Sequence, residues 1–480
     1  MPRAKPRVAS FPTLQPHAAG IDVHAAQHWV AVPPGSAPPH RRPPRRDLLP
    51  PHVRAFGACT ADLHALADWL GECGVTAVAM EATGVYWIPL FELLERRGFA
   101  VILVDPRQTR QVTGRPKSDR LDCQWIQRLH SCGLLAASFR PADDIVVLRG
   151  FLRQRQRLVQ DAGRQVQHVQ KALEEMNVKL TEVVSDIVGV TGLAILQAIR
   201  RGERDPAALA RLRHPRCRAS EADIARALGG TWRAEHLFAL DQALAVYETY
   251  QRLLGACDER IAACLRGFTD RSGGRPLPAK RAHSRKATAL HVDARSLCHR
   301  LAGVDLTAIE GIDEATALVV LSEVGPEMAK FPTAKHFASW LGLCPSHRGS
   351  AGKIASRHVR RGCNRAAKAL RLAAQGCHHA KNAMGGFYRR IQARCGGPKA
   401  VVATARKIAE RVWRLLTYGA DYVRLGEAEY AARYRRKQEK NLAKRAAELG
   451  YTLVPTAAVT LQRVHKRRCD PEKSSSRVCP

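Results

Sequence analysis

Residues 75–135, VTAVAMEATGVYWIPLFELLERRGFAVILVDPRQTRQVTGRPKSDRLDCQWIQRLHSCGLL, decide the fold class. Residues 76–80 form a short apolar run that stops at Glu81, and residues 100–104 form a second run. A helical pattern that includes Leu90 and Leu94 lies between them. Because strands that alternate with helices build an α/β sheet, and such sheets bind ligands beyond the carboxyl ends of their strands, Glu81 is predicted at a binding edge.

Three further carboxylates are predicted near the same sheet. Asp119 and Asp122 are three residues apart in a helix that Ser118 can cap, so both face one side. Asp22 lies inside the first strand, which with residues 29–32 is predicted to form an edge of the sheet. A carboxylate in such a strand is costly unless a cation or a donor accompanies it.

Two interpretations of these carboxylates are open from the residues alone. In the first, they converge on a divalent metal, and oxygen ligands favour Mg²⁺ or Mn²⁺ over zinc, with phosphoryl transfer as the usual chemistry. In the second, Asp119 and Asp122 occupy a solvated first helical turn and Glu81 is a turn residue.

Composition and charge narrow the class of protein. The 480 residues contain 77 Lys and Arg against 43 Asp and Glu, a formal charge of +34, which predicts DNA or RNA as partner. The basic residues recur all along the chain, which disfavours a membrane surface, and no run is long enough to span a bilayer. The 14 cysteines form no C-x-x-C pair, and with no signal peptide predicted at the N-terminus a cytoplasmic location is expected.

The pattern changes along the chain and predicts several segments. From Leu148 to Leu180, apolar residues follow heptad spacing, and a second long helix is predicted from Leu237 to Ile261. The two helices could form a dimer contact, or they could pack against each other as an intramolecular hairpin. The segments outside the sheet domain are a disordered basic arm (1–18), a helical coiled-coil region (141–268), a Gly/Pro/basic linker (269–296), a second globular domain (297–430) and a basic tail (431–480).

Ser350 is the candidate nucleophile of the second domain. It lies in a loop of small residues, and cations beside a hydroxyl could bind a phosphodiester as that hydroxyl attacks it. An ordinary loop serine is the alternative. Residues 309–315 could form a helix-hairpin-helix turn or a plain turn between helices. The candidate nucleic-acid contacts are Arg115, Lys117, Arg348, Lys353, Arg357, Arg360 and Arg361.

Taken together, the motifs resemble one family, the DEDD transposases of the insertion-sequence 110/116/902 family, over roughly residues 18–435. The matching motifs are Gly20-Ile21-Asp22, Met80-Glu81-Ala82-Thr83-Gly84, Lys117-Ser118-Asp119-Arg120-Leu121-Asp122 and Gly342-Leu343-Cys344-Pro345 with Ser350 five residues beyond the proline.

The resemblance implies a fold of the class α/β plus α. Its parts are a RuvC-like, ribonuclease H-type N-terminal domain (19–140), a long coiled-coil helical insert and a mostly helical C-terminal transposase domain. It also implies that Asp22, Glu81, Asp119 and Asp122 bind Mg²⁺, with Mn²⁺ possible, and that Ser350 forms a covalent phosphoserine with DNA. The implied partners are the element ends and target DNA, a structured bridge RNA, and further copies of the chain as homodimers that assemble into tetramers.

Three positions depart from the family pattern, namely Ser118 for threonine, Ala351 for glycine and Asp313 for glycine. Ala351 bears on activity, because alanine restricts a loop that needs positive φ. Two other functions remain as alternatives. One is a RuvC-like Holliday-junction resolvase or nuclease that uses water, and the other is a nucleic-acid-binding scaffold without catalysis.

Overall fold

The computed structural model describes residues 12–38, 49–109, 118–278, 290–345, 348–350, 353–356, 359, 362 and 364–453. For residues 348–350, 353–356, 421–434 and 437–438 it describes the backbone alone. The chain divides into two compact units, Met1–Arg140 and Pro141–Pro480.

The first unit is built on one sheet with helices on both faces. Its strands are β1 (Ala18–Val23), β2 (Gln27–Ala31), β3 (Val53–Gly57), β4 (Ala77–Glu81) and β5 (Ala100–Val104). Its helices are α1 (Thr60–Glu72), α2 (Trp87–Arg96), α3 (Pro106–Thr109) and α4 (Asp119–Ser131). The predicted strands at 76–80 and 100–104 are confirmed, with Glu81 as the last residue of β4.

The strand order is β3-β2-β1-β4-β5. β1 pairs with β2 in antiparallel and with β4 in parallel orientation, and β4 and β5 are parallel. The prediction that residues 20–23 lie at an edge of the sheet is therefore wrong. β1 is the central strand, and all six of its residues are buried because it has a neighbour on each side and helices above and below.

Alternation along the strands separates two packing faces. Ile21 and Met80 pack in one cluster with Leu66 of α1 and Leu90 of α2. On the opposite face, Ala79 and Val104 pack with Ile126 of α4. Since side chains two residues apart in a strand share a face, Asp22 and Glu81 belong to the α4 side of the sheet.

The N-terminal arm lies only partly within the described residues. Residues 1–11 are outside them, whereas the backbone amides of Leu14 and Gln15 donate to the Ser131 carbonyl at 2.8 and 2.9 Å. These two hydrogen bonds attach residues 14 and 15 to the end of α4.

The second unit is mostly helical. Its first helices are α5 (Asp143–Glu175), α6 (Leu180–Val183), α7 (Val190–Arg200), α8 (Pro206–Ala210), α9 (Glu221–Ala227) and α10 (Ala234–Gly267). They are followed by α11 (Ala294–Ala302), α12 (Glu314–Val324), α13 (Ala334–Trp340), α14 (Arg365–Gly376), α15 (Ala383–Cys395) and α16 (Gly397–Glu448). A hairpin of β6 (Arg348–Ser350) and β7 (Lys353–Ser356) lies between α13 and α14.

The two long helices α5 and α10 pack against each other within the chain. Leu173 of α5 and Leu244 of α10 belong to one buried cluster. The predicted helix from Leu148 to Leu180 is too long, because α5 ends at Glu175. Asn177 has a φ of 58°, its amide donates to the Glu174 carbonyl, and the next amide donates to the Leu173 carbonyl. This pattern is a Schellman C-cap, which ends a helix.

The turn at residues 309–315 and the last helix, α16, refine the sequence-based description of the C-terminal half. Gly311, with a φ of 91°, follows a three-residue 3₁₀ turn (Leu306–Ala308) instead of a full helix. Asp313 caps α12 by accepting a hydrogen bond from the Thr316 amide at 2.8 Å, so the aspartate at this position stabilises the helix start. α16 bends at Gly419, which has non-helical backbone angles, and the chain remains helical into the predicted basic tail as far as Glu448.

In the described part of the chain, none of the helices combines the length and apolar composition that a bilayer crossing requires. The cysteines of that part are all free thiols.

Candidate functional site

A close approach between strand β1 and helix α4 sets the geometry of the site. A Cβ atom built on Gly20 would lie 2.1 Å from the Gln127 amide nitrogen and 2.6 Å from the Cys123 carbonyl oxygen. The Gln127 side chain also donates to the Ala18 carbonyl at 3.1 Å. Only glycine therefore fits at position 20, and its lack of a side chain allows the helix to pack directly against the strand.

This contact brings Asp22 and Asp119 together. Asp22 lies two residues after Gly20 on the same face of β1, and Asp119 is the first residue of α4. The Ser118 side chain accepts a hydrogen bond from the Leu121 amide at 3.4 Å, which confirms the predicted cap and fixes where the helix begins. Asp22 is 7% exposed, whereas Asp119 is open to solvent.

His24 joins the two carboxylates. Its Nε2 atom lies 3.1 Å from Asp22 Oδ2 and 3.7 Å from Asp119 Oδ1. One donor atom from each of these three residues lies within 4.8 Å of the other two, which makes them the one group of possible metal ligands within the described residues. His24 is not among the ligands predicted from the sequence, because that prediction uses carboxylates alone. The Asp-x-His spacing at the end of a strand was the available indication.

Burial and mutual repulsion shape the electrostatics of this group. Burial raises the pKa of the Asp22 carboxyl, the nearby His24 opposes that shift, and the Asp119 charge adds to it. Burial also raises the pKa of the Cys123 thiol to about 12, with Asp22 and Asp119 contributing. The charged form of Asp22 is thus disfavoured by burial and by the neighbouring Asp119. A bound cation would stabilise both carboxylates in their charged form.

Glu81 and Asp122 lie outside the group of three. Glu81 follows Met80, whose register partner on β1 is Ile21, so Glu81 at the end of β4 and Asp22, one residue before the end of β1, lie near the ends of adjacent parallel strands. The Thr109 hydroxyl donates to Glu81 Oε2 at 3.3 Å. Asp122 is half-buried one turn into α4. The structure thus brings two of the four predicted carboxylates together, with the other two on the same side of the sheet or on the same helix.

The donor set fits a divalent cation. Two carboxylates and an imidazole are ligands that Mn²⁺ accepts, and carboxylates with water suit Mg²⁺. Asp119 is exposed, so its carboxylate is in contact with solvent as well as with the other two donors.

Ser350 is the last residue of β6 in the second unit. Its backbone pairs with that of Lys353, and Arg348 pairs with Ser356, with a bulge between Arg348 and Gly349. The predicted loop is therefore wrong, because this segment is a two-stranded hairpin. The side chains of the hairpin are not described, and several predicted residues lie outside the described part of the chain, namely Arg115, Lys117, Ala351, Arg357, Arg360 and Arg361.

Comparison with known proteins adds two family matches. A profile of IS110-type DEDD transposases, described as "Transposase", matches residues 19–178, and a profile described as "Transposase IS116/IS110/IS902 family" matches residues 305–389. Together they span about half of the chain. The first match contains all four predicted carboxylates and the second contains Ser350.

A curated relative supports the same grouping. The "Insertion element IS110 uncharacterized 43.6 kDa protein" of Streptomyces coelicolor is 39% identical over 111 residues. This similarity covers 23% of the present chain and 27% of that protein, so the chain matches about a quarter of the relative's length.

Proposed function

This chain belongs to the IS116/IS110/IS902 family of transposases, and from that premise we propose that it cleaves and rejoins the DNA strands of an insertion sequence. The observation that carries the proposal is the meeting of Asp22 and Asp119, which come from distant parts of the sequence, at one end of the central strand. The formal charge of +34 supports a polyanionic substrate.

In this proposal the acidic residues bind a divalent metal, Mg²⁺ or Mn²⁺. Asp22 and Asp119 would be the inner ligands, while Glu81 and Asp122 would complete the site when DNA is bound. The bound ion would supply Lewis-acid stabilisation of charge on the scissile phosphate. Asp22 holds its carboxylate at the buried end of β1, and Asp119 presents its own to the side from which a phosphate can approach.

Ser350 is the proposed nucleophile. Its Oγ atom would form a bond to phosphorus as the bond from phosphorus to the 3′ oxygen breaks, leaving a 3′-hydroxyl and a serine-linked 5′ phosphate. The phosphodiester energy is kept in that linkage, so strands can exchange and rejoin without ATP. The hairpin β6–β7 supports this role in two ways. It pairs the backbone of Ser350 with that of the basic residue Lys353, and the basic residue Arg348 lies two residues earlier on the same strand.

The remaining parts of the proposal follow from family membership. The first unit would be a RuvC-like, ribonuclease H-type domain, and its mixed five-stranded sheet with α4 against the acidic face supports that assignment. Helices α5 and α10 would form the coiled-coil insert. The chain would work as a homodimer that assembles into a tetramer, with a bridge RNA that selects donor and target DNA. The cytoplasm is the proposed compartment, in agreement with the free thiols.

Covalent trapping tests the proposal. The full chain is incubated with Mg²⁺, with duplexes that contain the element ends and with RNA transcribed from the non-coding sequence beside the gene, then run on a denaturing gel. We expect a protein–DNA adduct for the wild type and for Ser356→Ala, a control in the same hairpin. We expect none for Ser350→Ala or Asp22→Asn.

Each alternative function predicts a different result. Cleavage by Ser350→Ala without any wild-type adduct would indicate a nuclease that uses water. DNA transactions that Asp22→Asn and Glu81→Gln leave unchanged would indicate a scaffold without catalysis. Omitting the RNA tests the guide separately, because adduct formation should then fall.

A further inference from the structure

The imidazole of His24 lies where a third metal ligand would be. Its Nε2 atom is 3.1 Å from Asp22 Oδ2 and 3.7 Å from Asp119 Oδ1. Adjacent ligands of an octahedral ion with bonds of about 2.1–2.2 Å lie about 3 Å apart. The separation between His24 Nε2 and Asp22 Oδ2 matches this distance, and all three donor atoms lie within 4.8 Å of one another, so small rotations of the exposed His24 and Asp119 side chains would bring them to one ion.

The local structure explains why His24 reaches this position. β1 ends at Val23, so His24 is the first residue beyond the strand and, two residues after Asp22, stays on its side of the sheet. Both described partners of its ring nitrogen are carboxylate oxygens. The side chain is 41% exposed, which leaves it free to turn toward an ion between the two aspartates.

We propose that His24 is a nitrogen ligand of the divalent metal held by Asp22 and Asp119, and that it makes the site prefer Mn²⁺ to Mg²⁺. This inference rests on the proposed metal-dependent function, which by itself assigns only oxygen ligands. The metal preference follows because Mg²⁺ takes oxygen ligands almost exclusively, whereas Mn²⁺ binds imidazole more readily.

A different reading of the same distances is a hydrogen bond through which His24 only orients Asp22. The two roles differ in an observable that does not depend on DNA cleavage. A nitrogen bonded directly to Mn²⁺ gives a ¹⁴N coupling in pulsed electron paramagnetic resonance, and an orienting histidine bonded only to the carboxylate does not give a coupling of that strength.

The experiment uses the full chain, without DNA, loaded with Mn²⁺. The variants are His24→Ala, His24→Asp and, as a matched control, His64→Ala, whose exposed histidine lies on α1 and contacts Arg97. We expect ¹⁴N coupling in the wild type and in His64→Ala, and its loss in both His24 variants. Thermal unfolding of each variant verifies that it is folded.

Calorimetric titration with each metal gives the second readout. His24→Ala should weaken Mn²⁺ binding roughly tenfold, as loss of a metal-supporting side chain does, and should change Mg²⁺ binding less. His24→Asp should restore affinity with an all-oxygen site and reverse the preference toward Mg²⁺.

The outcomes separate this inference from the proposed function. Mn²⁺ binding that Asp22→Asn abolishes, but that shows no ¹⁴N coupling or keeps it in His24→Ala, overturns the His24 assignment and leaves the acidic metal site intact. A wild-type chain that binds no Mn²⁺ overturns both.

Discussion

Gly20 of β1 lies against the backbone of Gln127 on α4, so closely that a Cβ atom on Gly20 would be 2.1 Å from the Gln127 amide nitrogen. No real Cβ atom tolerates that distance. Glycine at position 20 thus permits the close contact between β1, which carries Asp22, and α4, whose first turn carries Asp119 and Asp122.

Gly20→Ala should therefore damage both the fold and the metal site. The added methyl group must push α4 away from β1, and overpacking of this kind costs about 1–3 kcal/mol. Because Asp119 moves with the helix, Mn²⁺ affinity should fall as well. Denaturant unfolding and calorimetric titration measure the two effects.

Gly71→Ala is the matched control. Gly71 lies in helix α1 and a Cβ atom there would meet nothing within 4 Å, so alanine should raise the free energy of unfolding by about 0.5–1 kcal/mol. Wild-type metal affinity in Gly20→Ala would show that the close approach is not what assembles the site.

A second prediction concerns Asp22 in the metal-free protein. Burial raises the pKa of its carboxyl above the unfolded value, so its contribution favours folding at acid pH and is lost as pH rises through the folded-state pKa. At neutral pH the ionised carboxylate destabilises the fold, and Asp22→Asn should unfold at a higher temperature than the wild type. The difference should disappear at acid pH, where Asp22 is protonated in both states.

Thermal unfolding in EDTA at several pH values measures this difference. Saturating Mn²⁺ should reverse the order, because only the wild type gains stability from binding. Asp68→Asn is the control, because it removes an exposed carboxylate of α1 that pairs with Arg97. Its loss in the free energy of unfolding should stay under about 1 kcal/mol. A lower unfolding temperature for metal-free Asp22→Asn at neutral pH would refute the argument.

The sequence predicts local features of this site better than its assembly. β4, β5 and the Ser118 cap follow from short-range patterns, because strand length, apolar runs and a capping hydroxyl are local properties. The central position of β1 depends on which strands pair on each side of it, and no local pattern encodes that choice.

His24 and the Ser350 hairpin were missed for different physical reasons. The expected metal site has oxygen ligands only, so the imidazole of His24 has no place in that prediction. The segment around Ser350 is rich in glycine and small residues, which have low strand propensity, and it becomes a hairpin only because the two strands pair with each other.

A third prediction uses the cysteines. Burial, with Asp22 and Asp119 nearby, raises the pKa of the Cys123 thiol to about 12, and the thiolate is the reactive form. Cys123 should therefore resist iodoacetamide in the folded protein, whereas the exposed Cys59 should react. Peptide mass spectrometry over a time course measures both. Equal labelling of the two thiols would mean that α4 opens away from the sheet.

The fourth prediction concerns the buried ion pair between the long helices of the second unit. Asp258 of α10 is fully buried and accepts hydrogen bonds from the Nε and Nη2 atoms of Arg155 on α5 and, at 2.9 Å, from the His291 amide. Asp258→Ala breaks one side of a buried, doubly hydrogen-bonded ion pair, which should cost about 3–5 kcal/mol in the free energy of unfolding.

A double variant distinguishes the charge from the packing. Arg155→Met with Asp258→Leu removes both charges and keeps apolar volume, so it should cost much less than Asp258→Ala alone, since a buried pair gains little over well-packed apolar residues. Asp161→Ala is the surface control, because its partner Arg164 is 71% exposed and the loss should stay below about 1 kcal/mol. If the double variant is as unstable as Asp258→Ala, the Arg155 charge is not what destabilises the single variant. The lost hydrogen bond from the His291 amide to Asp258 would then account for most of the stability lost.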